Sequence, residues 1–135
     1  MKWKAYDYTA EWGNDGSVVY RPLIQVDVSY KGKSTSIMAL VDSGTDSALF
    51  NADIAKLLEI DLGLCPKAKI GGVGEKIGFR CDVNLTVRDF KVTMDLPVVF
   101  TDELPFGGLL GQRNFFARFH IKFEKNKNEF LLALT

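Results

Sequence analysis

Apolar and polar residues alternate along most of this chain, and only one stretch repeats at helical spacing. Leu23-Ile24-Gln25-Val26-Asp27-Val28-Ser29-Tyr30 alternates over its second half and predicts a strand, with a shorter one before it at residues 18–20. Lys31-Gly32-Lys33 reads as a tight turn, and residues 34–41 return as the second arm of a hairpin. Ile37-Met38-Ala39-Leu40-Val41 is apolar throughout, as expected of a strand buried on both faces. The period then changes. Asn51 is the expected N-cap of a short helix carrying Ala52, Ile54, Ala55, Leu57 and Leu58, which Gly63 and Pro66 stop. Residues 79–87 and 90–100 predict two strands turning at Arg88-Asp89. Residues 101–108 form a loop, Leu109-Leu110-Gly111 a short apolar strand, and residues 112–118 one or two helical turns. Residues 119–123 and 130–134 predict a closing hairpin around residues 125–128. The sum is a mainly β chain, an all-β barrel or sandwich with one or two short helices.

Composition narrows the function more than the fold. A chain of 135 residues, 47% hydrophobic and 25% charged, suits one globular domain. We expect the domain over residues 20–135, with residues 1–19, which carry Trp3 and Trp12, as an extension of unassigned role packed on it. The 17 basic and 17 acidic residues cancel, which argues against a nucleic-acid partner and leaves self-association unopposed. No apolar run reaches the roughly 18 residues that span a bilayer. The first residues carry no apolar signal core, so a cytoplasmic location is expected. Cys65, Cys81 and the lone His120 are too few for a Cys/His metal site, and no cofactor is expected. The cysteines are read as free thiols, with a disulfide as the alternative. One histidine in an alternating strand also weakens any Ser-His-Asp or Cys-His reading. Phe115, Phe116, Phe119 and Phe123 are read as core and interface rather than a ligand box.

The candidate chemistry sits where the apolar run ends, at Asp42-Ser43-Gly44-Thr45-Asp46. A carboxylate at the end of a buried strand needs partners or a shifted pKa. Ser43 and Thr45 supply hydroxyls, and Gly44 permits close approach of another backbone or a ligand. The tripeptide alone is weak, since Asp-Ser/Thr-Gly arises by chance in roughly one chain in twenty of this length. Two further features come after it in order. Ile70-Gly71-Gly72-Val73-Gly74 is glycine-rich, and it lacks the Gly-Lys-Ser/Thr ending of a phosphate loop. Gly108-Leu109-Leu110-Gly111 leads into Gln112, Arg113 and Asn114.

Together these three motifs, over roughly residues 20–134, resemble the retropepsins, the single-domain aspartic proteases of retroviruses and their cellular and bacterial relatives. The resemblance implies a closed, mostly antiparallel β-barrel and an aspartic endopeptidase acting on polypeptide substrates. It implies Asp42 as the catalytic carboxylate and Ser43 as a link between paired catalytic loops. Gly44 would present its carbonyl to substrate, and Thr45 would place a hydroxyl near the outer oxygen of Asp42. Asp46 would brace the loop against Arg113, although Gln112 intervenes where retroviral members have Arg directly after the glycine. Gly72, Val73 and Gly74 would be the flap, while Phe106 and Leu109 would wall the cleft; Phe106 reads equally well as core. One Asp-Ser/Thr-Gly per chain implies a homodimer that supplies the second carboxylate. The alternative is a non-catalytic module of the same fold that serves dimerisation or peptide binding.

Overall fold

The computed structural model describes residues 1–71 and 76–135. Its strands run in chain order as β1 (Lys4–Asp7), β2 (Thr9–Trp12), β3 (Val18–Arg21), β4 (Leu23–Tyr30), β5 (Lys33–Val41) and β6 (Ala48–Asn51). After helix α1 (Ala52–Leu57) come β7 (Lys67–Ile70), β8 (Lys76–Val87), β9 (Val92–Thr101) and β10 (Gly108–Leu110). Helix α2 (Phe115–Arg118) precedes the closing pair β11 (Phe119–Glu124) and β12 (Glu129–Leu134).

The strands β4-β5-β10-β6-β9-β8 lie side by side, and a further β4–β8 pairing joins the ends of that row. The result is a closed barrel, mostly antiparallel, with parallel pairings at β5–β10 and β6–β9. Alternation in β4 sends Ile24, Val26 and Val28 inward. They meet Leu85, Leu96 and Leu110, and the fully buried Phe50 and Phe100 rings pack edge-to-face at 6.1 Å. Lys31 and Gly32 both take positive φ (45° and 82°), as a two-residue hairpin turn matching the strand twist requires. A second sheet, β1-β12-β11, packs Phe130, Leu132 and Phe119 into the same core.

One expectation changes, and two stretches gain structure that the sequence left unassigned. The Ile37–Val41 run is not buried on both faces: Ile37, Ala39 and Val41 point inward, but Met38 is 42% exposed. The barrel offers β5 one apolar interior, and its outer face at Met38 meets solvent. Residues 48–51 form a strand before the helix begins. Asn51 does occupy the N-cap position, yet it makes no side-chain cap and instead donates its amide to the Leu104 carbonyl at 3.1 Å. Within residues 1–19, β1 extends the closing hairpin along β12 and β2 pairs with β3. Tyr6 stacks on Phe130 and donates its hydroxyl to Asp89, which ties β1 to the turn between β8 and β9. No helix among the described residues is long and apolar enough to cross a membrane.

The barrel closes beside a polar cluster. Asp27 in β4 accepts hydrogen bonds from Arg88, just past the end of β8, and from Ser36 in β5. The Arg88 guanidinium, and next the Ser36 hydroxyl, hold the Asp27 carboxyl below its usual range. A depressed carboxyl adds stability above its unfolded pKa, near 3.9, and loses that contribution as pH falls through its lower folded value. Asp27→Asn should therefore lower the melting temperature at pH 7. The gap to wild type should narrow as pH drops below about 4. Melting curves across pH 2–7 measure this, and a constant gap at all pH values would contradict the assignment.

Candidate active site

Strand β5 delivers Asp42 to its place. Val41, buried at the strand end, donates its N–H to the Pro22 carbonyl at 2.9 Å, and Asp42 donates its own to Leu110 at 2.9 Å. The parallel register sets Leu110 beside Val41, so the end of β10 fixes the start of the Asp42 loop. The chain then turns back on itself. Gly44 donates its N–H to Asp42 Oδ1 at 2.8 Å, the turn that an Asp side chain makes with the backbone two residues on. A Cβ on Gly44 would lie 3.2 Å from that oxygen, closer than carboxylate and side chain ordinarily approach. Asp42 is half-buried, while Ser43 and Gly44 are exposed. Among the described residues this carboxylate is held by one main-chain donor, which leaves it available to a second group.

The residues after β10 hold the loop from beneath. A Cβ on Gly111 would collide with the Thr45 carbonyl oxygen, so glycine alone lets the two backbones meet. Gln112 donates its main-chain N–H to Thr45 O (2.9 Å) and its side-chain amide to Ser43 O (2.8 Å). Arg113 donates its N–H to Asp46 O at 2.9 Å. Gln112, an interruption when only the sequence is considered, thus supplies two of the three donors. The available signal was its place directly after Leu109-Leu110-Gly111, with an amide able to reach backwards.

The remaining expected site residues divide between the cleft and the barrel. The Thr45 hydroxyl donates to the Ser47 carbonyl at 3.2 Å rather than to Asp42. Asp46 and Arg113 meet through their main chains, and among the described residues no ion pair joins their side chains. Thr45, Asp46 and Arg113 line an open cleft of about 450 Å³ together with Gly44, Lys69, Ile70 and Gly71, and Asp42 itself is not among its described lining residues. Leu109 is half-buried in β10, between Leu40 and Leu49. Phe106 stands beneath the Arg21 guanidinium at 5.7 Å and is not among the described residues that line this cleft. Gly72, Val73 and Gly74 lie outside the described residues.

Two substitutions separate these supports. Gly111→Ala drives a methyl into the Thr45 backbone and should cost about 1–3 kcal/mol in urea unfolding. Gln112→Ala removes one amide bond and should cost about 0.5–1.5 kcal/mol. Equal, negligible losses in both variants would show that the loop does not depend on this contact.

No family model matches the chain, and no curated protein matches its sequence. Solved structures do. A retropepsin-like aspartic protease from Rickettsia conorii superposes with a TM-score of 0.60 at 14% identity, covering 97% of this chain and 92% of that one. The EIAV protease, in complex with an inhibitor, superposes with a TM-score of 0.52 at 21% identity over 67% of this chain and 81% of that one. With its closed barrel and the Asp42 loop seated on the Leu110–Arg113 segment, this chain has the retropepsin-like fold.

Proposed function

We propose that this chain is an aspartic endopeptidase that hydrolyses polypeptides as a homodimer, with Asp42 from each copy forming the catalytic pair. The observation that carries the reading is the Asp42 carboxylate itself. It is half-buried at the end of a core strand, anchored by Gly44, and set in a loop whose carbonyls are held by Gln112 and Arg113. Aspartic chemistry needs two carboxylates close enough to share a proton. One, ionised, takes a proton from water as that water attacks the scissile carbonyl. The other, protonated, donates to the carbonyl oxygen. Like charges about 3 Å apart do not both ionise, so the pair titrates in two separated steps. Each chain has one Asp-Ser/Thr-Gly, so a two-fold axis is the economical source of the second.

In this reading Ser43 links the two loops and the Gly44 carbonyl faces substrate. The polypeptide lies extended in the cleft between Gly44–Arg113 and Lys69–Gly71, adding its backbone as a strand. The flap role that the resemblance gives Gly72, Val73 and Gly74 belongs to this reading, and Leu49, Ile70 and Val99 supply apolar lining.

Two experiments decide the matter. Wild type and Asp42→Asn are incubated with an unfolded protein between pH 3 and 7. Wild type should cleave it, and the variant, with an unchanged circular dichroism spectrum, should lose at least about 100-fold in rate. Cleavage by neither supports the non-catalytic module, and equal cleavage by both removes Asp42 from the mechanism. Specific activity should also rise with concentration alongside the dimer fraction seen in sedimentation. A fully active monomer would overturn the shared pair.

A further inference from the structure

Cys65 and Cys81 are free, half-buried thiols, far apart in sequence, and both pack against the edge of the core. Their backbones are in register with each other. Strand β7 pairs antiparallel with β8, Lys67 opposite Phe79. One step further on, Arg80 donates its N–H to the Pro66 carbonyl at 2.8 Å. The next step in the same register sets Cys65 opposite Cys81, and Cys65 keeps extended geometry there (φ −92°, ψ 145°). Its own N–H is used elsewhere, by the Leu62 carbonyl. Hydrogen-bonded and non-hydrogen-bonded pairs alternate along an antiparallel ladder. A bonded pair at 66/80 therefore makes 65/81 a non-bonded one, with Cα atoms about 4.5 Å apart. That spacing lies inside the roughly 4.4–6.8 Å range of disulfide bridges.

We propose that Cys65 and Cys81 are a reversible dithiol–disulfide pair that latches β7 onto β8 and so fixes one wall of the cleft. The position suits a latch. Strand β7 lies at the end of its sheet, where its strand pairing is with β8. Cys81 sits where that edge of β8 passes from pairing with β7 at residues 76–79 to pairing with β4 at residues 84–86. Ile70 and Gly71, at the far end of β7, line the cleft. Burial, and next the Cys65 thiol, push the Cys81 thiol up to about 11. Cys81 is then mostly protonated at neutral pH, which suits the resolving partner rather than the attacking one.

The oxidant is a low-molecular-weight disulfide. The Cys65 thiolate attacks one of its sulfurs, forms a mixed disulfide and expels one thiolate. Cys81 gives its proton to solvent and attacks Cys65 Sγ, which expels the second. Two cysteines lose two electrons and two protons in total, and the small disulfide becomes two thiols.

The test does not depend on any peptidase activity. The full chain is equilibrated with excess oxidised glutathione and, separately, with dithiothreitol. Intact mass, peptide mapping and melting temperature are then recorded. Oxidised wild type should be lighter by about 2 Da, with one peptide pair linked through Cys65 and Cys81, and dithiothreitol should restore it. Closing the loop between residues 65 and 81 should raise its melting temperature by roughly 5 °C or more. Cys65→Ser and Cys81→Ser should form no internal link and show no such rise. Wild type that keeps both thiols free, carries glutathione on each, or links chain to chain overturns the proposal.

Discussion

The backbone of Gly111 lies so close to the Thr45 carbonyl that a single methyl group would not fit between them. The candidate site depends on this contact. It brings the Gln112 and Arg113 N–H groups within bonding distance of the Thr45 and Asp46 carbonyls, and the Gln112 amide within reach of Ser43. Without it the Ser43, Thr45 and Asp46 carbonyls would lose these donors. The parallel β5–β10 register makes the contact possible by placing Leu110 at the point where Asp42 leaves the strand. The barrel core behind it, with Phe50 and Phe100 fully buried, sets where both strands end.

The cleft lining from residues 69–71 is held differently. Lys69, Ile70 and Gly71 belong to or directly succeed a four-residue strand at the sheet margin that pairs with β8. One part of the lining is therefore fixed by dense main-chain bonding and the other by a short strand pairing. A cross-strand cysteine pair at the root of that short pairing acts on the less firmly held part. The loop that carries Asp42 and the strand that the Cys65–Cys81 latch would hold both contribute residues to this cleft.

Much of this was legible in the sequence because it is written locally. The β4–β5 hairpin comes from alternation and from Lys31-Gly32, and the Asp42 loop and Leu109-Leu110-Gly111 come from short motifs. The features that were not legible depend on partners distant in sequence. Ala48-Leu49-Phe50-Asn51 becomes a strand because β9 and β10 flank it, although Asn51 and the residues after it have the local pattern of a helix start. Strand β1, within a stretch with no local signal, forms because β12 offers an open edge. Met38 sits in a run that is apolar throughout, and the sequence does not say that only one face of β5 meets a core. Gln112 looked like an interruption because its value lies in two bonds to a loop far away in the chain. Thr45 reads as a neighbour of Asp42, yet its hydroxyl turns to Ser47.

The central claim is that Asp42 is half of a shared pair. A crystal structure of the protein grown under conditions of activity tests it most directly, through the separation of the Asp42 carboxylates in two adjoining copies. The expected result is a two-fold dimer in which these carboxylates approach within about 3 Å, close enough to share one proton. A dimer that holds them beyond the reach of one bridging water, or a monomer with Asp42 open to solvent, would contradict it.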